Sequence, residues 1–197
     1  MTRRLVLSAM LLLCFAASAF SQKGGEVFGG YSYQRTGGTG LNGFNASVTG
    51  NMGSWLGLTG EISHHSYGTS VLDPTSGFSL NADAGLLAFR VGPRFISKVN
   101  DTATFFVHTL AGGYRASMNV DTSGMTLPDP APSFNVNASA TGFTAAVGGG
   151  VDVRVAPRIA VRPAQLDWIY LGSASISGQD LGHSNGFRYS GGVVIRF

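Results

Sequence analysis

Cysteine is almost missing: the single one in 197 residues, Cys14, sits in the first twenty, so the remaining chain has no disulfide, no thiol nucleophile and none of the commonest structural zinc ligand. Charge is scarce too. Asp, Glu, Lys and Arg make up 12% of the residues, about half the usual share of a soluble domain. From Glu26 to Phe197 no segment repeats its apolar residues at helical spacing, and no apolar run there is long enough to cross a bilayer as a helix. Thirteen basic residues less Arg3 and Arg4 leave eleven against ten acidic ones, so no basic patch points to nucleic acid as a partner.

What the chain does have begins with a secretory-signal layout over residues 1–21. Arg3 and Arg4 precede an apolar run from Leu5 to Ala17, and small residues then allow cleavage before Phe20 or Gln22. That run falls short of the roughly 20 apolar residues a spanning helix needs. Leu13, not a small residue, precedes Cys14, which argues against lipidation. Residues 22–197 then suit one domain. They are rich in glycine: the chain holds 29, about twice the usual frequency.

Alternation with period two dominates the rest. Phe187, Tyr189, Gly191, Val193, Ile195 and Phe197 share one face against Arg188, Ser190, Gly192, Val194 and Arg196, and Phe143 to Val155 alternates likewise. In Arg158 to Leu171, Pro163 cannot donate to a ladder and predicts a bulge. One extra residue there puts Gln165 and Asp167 on the polar face and Leu166, Trp168 and Tyr170 on the other. Five earlier segments, Glu26–Gln34, Phe44–Gly50, Trp55–His65, Asn81–Ser97 and Thr102–Ser117, bring the count to eight strands. Phe105-Phe106-Val107 hides the parity of its strand and leaves the facing of His108 open.

Connections alternate short (Asn51–Ser54, Lys98–Asp101, Ala156–Pro157) and long (Arg35–Gly43, Ser66–Leu80, Met118–Ala140, Gly172–Asn185), as in barrels with short periplasmic turns and long external loops. A sheet in hydrocarbon must pair all its backbone polar groups, and only closure removes its edges. The expected fold is all-β: a closed up-and-down antiparallel transmembrane β-barrel of eight strands.

The tail from Ser190 to Phe197 resembles the β-signal read by the barrel-assembly machinery, with Ser190, Gly192, Ile195 and Phe197 at the pattern positions. Tyr31-Ser32-Tyr33, Gly92-Pro93-Arg94-Phe95, Gly148 to Arg154 and Arg162 to Trp168 are similar to the outer-membrane β-barrel domain family related to the OmpA transmembrane region. The resemblance implies a monomeric barrel in the cell outer membrane with lipid around it. It implies no reaction and no cofactor.

Parity sets Glu61, Arg90, Arg94, Asp152, Arg154, Arg162, Asp167, Arg188 and Arg196 inward, with Glu26 near the periplasmic rim. These charges are either a selective pore or a plug of paired ions. An eight-stranded lumen is only wide enough for side chains, which favours the plug. Asp152, Arg154, Arg162 and Asp167 are expected to form one paired cluster. His64-His65-Ser66 invites comparison with barrel lipid A deacylases, but parity puts His64 and Ser66 on one face and Glu61 on the other, so no acid orients a base for a serine. The histidines lack metal-ligand spacing, and the glycine run at Gly148 opens no helix that could hold a phosphate. The expected role is structural or loop-mediated, in envelope integrity or adhesion, without enzymatic activity; the alternative is a passive small-solute channel, with a lipid A hydrolase behind it.

Overall fold

Period-two sequences can satisfy their backbone only against one another, and here they do so in a ring. The computed structural model describes residues 24–73, 78–123, 135–173, 175–176, 179–180 and 182–197; the signal-peptide expectation for residues 1–21 lies outside them. The strands are β1 (Gly25–Thr36), β2 (Thr39–Asn51), β3 (Leu56–Asp73), β4 (Phe78–Lys98), β5 (Ala103–Ser123), β6 (Asn135–Ala156), β7 (Ile159–Leu171), β8 (Ser175–Ile176), β9 (Gln179–Asp180) and β10 (Ser184–Arg196). Eight of them close into a barrel in the order β1-β10-β7-β6-β5-β4-β3-β2, and β8 and β9 pair as a separate hairpin. The β1–β10 seam runs antiparallel from Glu26↔Arg196 to Thr36↔Gly186. Beyond it, Gly25 and Phe197 exchange backbone hydrogen bonds of 3.0 Å each way. Such closure removes the free edges of a spanning sheet.

Side chains follow the pleat. On β5, Phe105 and Val107 face outward while Phe106 and His108 face inward, which settles His108. On β7 the alternation slips at Pro163 and resumes at Gln165. Both flanking ladders shift there, against β10 between Ser190 and Gly192 and against β6 between Val151 and Val153. The bulge therefore lies where proline withholds a donor, and it leaves Gln165 and Asp167 inside with Leu166 and Trp168 outside. Tyr170 is half-buried, its ring 6.4 Å from that of Trp168.

Turns at 52–55, 99–102 and 157–158 connect strands at the end that also holds Gly24 and Phe197. The opposite end departs from the expected long loops. Arg35–Gly43 is a tight hairpin, not a loop: Gly37 and Gly38 adopt φ of 59° and 86°, the positive angles a two-residue hairpin turn requires. The pairing of β1 with β2 therefore reaches Thr36↔Thr39. Within Ser66–Leu80 and Met118–Ala140 the described residues are strand, since β3 and β4 stay paired to Asp73↔Phe78 and β5 and β6 to Asp121↔Asn135.

Candidate functional site: the filled lumen

The lumen carries charge in two layers. In the first, Arg188 on β10 reaches across to β3, giving Glu61 a two-pronged bond through Nη1 to Oε1 at 2.8 Å and Nη2 to Oε2 at 2.6 Å. The same guanidinium donates to Asp167 Oδ2 from Nε at 3.0 Å and Nη2 at 2.7 Å. Arg90 joins through Nη1 to Glu61 Oε1 at 3.0 Å. His108 Nε2 lies 2.7 Å from Asp167 Oδ1. The shared planar forks suit carboxylates, and each carboxylate here meets more than one partner.

The second layer lies toward the end with the short turns. Asp152 accepts from Arg162 Nε at 2.7 Å and Nη2 at 3.1 Å, and from Arg94 Nη2 at 3.0 Å. Arg94 also pairs with Glu26 on β1, and Arg196 approaches Glu26 at 3.6 Å and Asp152 at 3.5 Å. Two cations pack on the Phe106 ring, Arg94 at 3.7 Å and Arg162 at 4.3 Å from its centroid. Gln165 links the layers, accepting from Arg162 Nη1 at 2.9 Å and donating to Asp167 Oδ2 at 2.8 Å. Taking such ions out of water is costly unless they are paired and hydrogen-bonded, which this network achieves across the lumen rather than along one wall.

Three bonds in the lumen share a local device. His108, Gly148 and Asp167 stand opposite one another on β5, β6 and β7, and the His108–Asp167 bond passes over the glycine. A Cβ on Gly148 would strike the Asp167 carboxylate and the Leu166 carbonyl. Arg90 Nε reaches Thr144 Oγ1 at 3.1 Å over Gly112 in the same way. His65 Nε2 meets Ser32 Oγ at 2.9 Å over Gly43.

Outside, the wall is apolar: Phe89, Val91, Phe105, Val107, Val147 and Leu166 are all at least half exposed or nearly so, between 49% and 64%. No family model and no curated protein matches the sequence. Solved structures do match. The attachment invasion locus protein Ail of Yersinia pestis, 16% identical, aligns with a TM-score of 0.55 over 89% of this chain and 99% of its own. A major outer membrane protein from Thermus thermophilus gives a TM-score of 0.56 at 10% identity, over 89% and 100%. Neisserial surface protein A gives 0.51 at 15% identity, over 88% and 96%. The chain has the fold of a small outer-membrane β-barrel. Such barrels turn an apolar outer wall to lipid and carry their short turns on the periplasmic side, and the two ends of this barrel are named periplasmic and external on that pattern.

Within this barrel, the structure places Glu61, Arg90, Arg94, Asp152, Arg162, Asp167 and Arg188 in the lumen, all buried. Arg196 sits at the periplasmic rim with its side chain 25% exposed. Arg154 is the exception: it is exposed, makes no ion pair among the described residues, and lines a periplasmic mouth of about 490 Å³ with Lys98, Arg196 and Glu26. It keeps the inward parity of Asp152, opposite buried Ala160 in the β6–β7 ladder, but lies beyond the charged layers at the open mouth of the lumen. Asp167 and Arg162 belong to different layers and meet only through Gln165. Of the histidine pair, His64 faces outward beside Phe44, with ring centroids 5.9 Å apart, and Ser66 is exposed. His65 turns inward, and its Nδ1 has no partner among the described residues. Parity alone did not single out Gln165, Phe106 or Ser32. Gln165 and Ser32 were legible only as polar residues on inward positions, and Phe106 only once its strand's facing was known.

Proposed function

We propose that this barrel is a surface-interaction protein whose working part stands outside the membrane and whose lumen is a structural plug. The observation that carries this is the inequality of the strands. β3, β4, β5 and β6 run for 18, 21, 21 and 22 residues, whereas β1, β2, β7 and β10 run for 12 or 13. A tilted spanning strand needs about 9–11 residues, so half of the barrel continues outward as a four-stranded sheet. Pairing of β2 with β3 ends at Asn42↔Ser66. Along Tyr67–Asp73, β3 is paired only with β4 among the described residues, leaving an edge that can accept a partner's strand. Ail is named for attachment and invasion and has been crystallised with a heparin analogue, sucrose octasulfate; adhesion is the corresponding role for this chain.

The test is to replace Tyr67–Ala84 by an Asn-Gly turn, which shortens the β3–β4 extension and leaves the barrel below it. Cells displaying the full chain should adhere to epithelial monolayers, and cells with the trimmed chain should adhere no better than cells without it. Equal adhesion by full and trimmed chains, with both equally folded, would remove the outward sheet from the function.

A further inference from the structure

The periplasmic mouth gathers more positive charge than its carboxylates neutralise. The cavity of about 490 Å³ that opens there is lined by Glu26, Lys98, Thr104, Arg154 and Arg196 among others. That size is within the range of small-molecule pockets, roughly 300–1,000 Å³. Glu26 and, just beneath it, Asp152 are shared among Arg94, Arg162 and Arg196. Lys98 and Arg154 are exposed and make no ion pair among the described residues. Five cations thus surround two carboxylates that are already engaged.

The donors around the cavity arrive from four strands. Lys98 closes β4, Thr104 stands at the start of β5, Arg154 near the end of β6 and Arg196 at the end of β10. Thr104 shares the inward facing of Phe106 and His108, and it is buried to all but 7%. It lines the cavity, yet its hydroxyl makes no hydrogen bond among the described residues. Buried hydroxyls are ordinarily paired, so this one is a donor left for a ligand. A cleft lined by one sign of charge, with low-dielectric walls, draws the opposite ion into it. A carboxylate is satisfied by a single fork, whereas a phosphate offers three acceptor oxygens that donors on separate strands can meet together.

We propose that the periplasmic mouth binds a phosphate group, held by Lys98, Arg154 and Arg196 with the Thr104 hydroxyl donating to one of its oxygens. Glu26 does not oppose this, because Arg94 and Arg162 engage its carboxylate from below. Two sources share this chemistry, a soluble phosphomonoester and the headgroup of a phospholipid in the periplasmic leaflet. The site stands independently of the adhesive reading, which uses none of these residues.

The experiment uses the full chain folded in dodecyl maltoside, a detergent without phosphate, and equilibrium dialysis against radiolabelled inorganic phosphate. Binding should saturate with a single phosphate on each chain, and acetate at the same ionic strength should displace it at least about tenfold less well than unlabelled phosphate does. Lys98→Gln, Arg154→Gln and Thr104→Val should each weaken binding about tenfold, with heat-modifiable mobility showing that the barrel is folded. Arg115→Gln, which alters an exposed arginine toward the external end of β5, should leave the affinity unchanged. Glycerol phosphate and dihexanoyl phosphatidylglycerol, compared as competitors, tell the soluble source from the lipid one, and competition by neither would overturn the site. So would binding that does not saturate, that acetate displaces as well as phosphate does, or that survives Lys98→Gln and Arg154→Gln unchanged. Should Thr104→Val not fold, those two exposed positions decide alone.

Discussion

Asp152 is the residue on which the periplasmic layer turns. It is fully buried, and Arg94, Arg162 and Arg196 all lie within 3.5 Å of its carboxylate, with Glu26 the other carboxylate they share. Asp152→Ala leaves Arg94 and Arg162 buried around one carboxylate, and breaking one side of a buried pair costs about 3–5 kcal/mol. A charge on the outer wall does damage by another route. Val147, 49% exposed to lipid on the neighbouring face of β6, would place an arginine in hydrocarbon at a cost of about 2–4 kcal/mol near the midplane. Urea unfolding of the barrel in bilayers, followed by the fluorescence of Trp55 and Trp168, should show lower midpoints for Asp152→Ala and for Val147→Arg. An unchanged midpoint for Asp152→Ala would mean that its partners are satisfied without it.

Among the elements, β7 shows how far a sequence specifies facing. Ile159 to Arg162 and Gln165 to Leu171 each alternate cleanly, and Pro163 is the only residue between them that cannot join a ladder, so the register is legible in the residues themselves. β5 shows the limit, since Phe105-Phe106-Val107 offers three apolar residues for two faces. The structure resolves the facing because Phe106 spends its ring on Arg94 and Arg162 inside the lumen, a contact assembled from β4, β5 and β7. The hairpin at Gly37-Gly38 was legible in principle as a paired-glycine turn, but Gly40, Asn42 and Gly43 around it look like loop residues. Deleting Pro163 removes the extra residue of the bulge, pairs β7 one to one with both neighbours and keeps Arg162, Gln165 and Asp167 inward, so the heat-modifiable folded form should persist. Deleting Phe197 loses only the last bonds of the seam and the terminal residue of the proposed assembly signal, so it should lower the folded fraction without reversing any facing. Loss of the folded form on deletion of Pro163 would contradict the register.

At the scale of the whole molecule, the closed barrel and most of its charged interior follow from alternation, because lipid outside and a narrow lumen inside impose opposite chemistry on successive residues. The outward sheet was not legible for the same reason. In the extension the described residues 66–69 and 117–119 are exposed without a break, nothing enforces alternation there, and Ser66–Leu80 and Met118–Ala140 read as loops although β3 to β6 continue into them as paired strands. The proposed function divides the molecule into a plugged lower half and an interacting upper one, and it requires that the paired layers block the lumen. Single-channel recording in planar bilayers tests this directly, comparing the unaltered chain with Arg188→Ala, which removes the guanidinium bridging Glu61 and Asp167 across the lumen. The unaltered chain should give no stable conductance steps, and the folded Arg188→Ala barrel should give them. Stable steps in the unaltered chain, of the same size in Arg188→Ala, would contradict the plug.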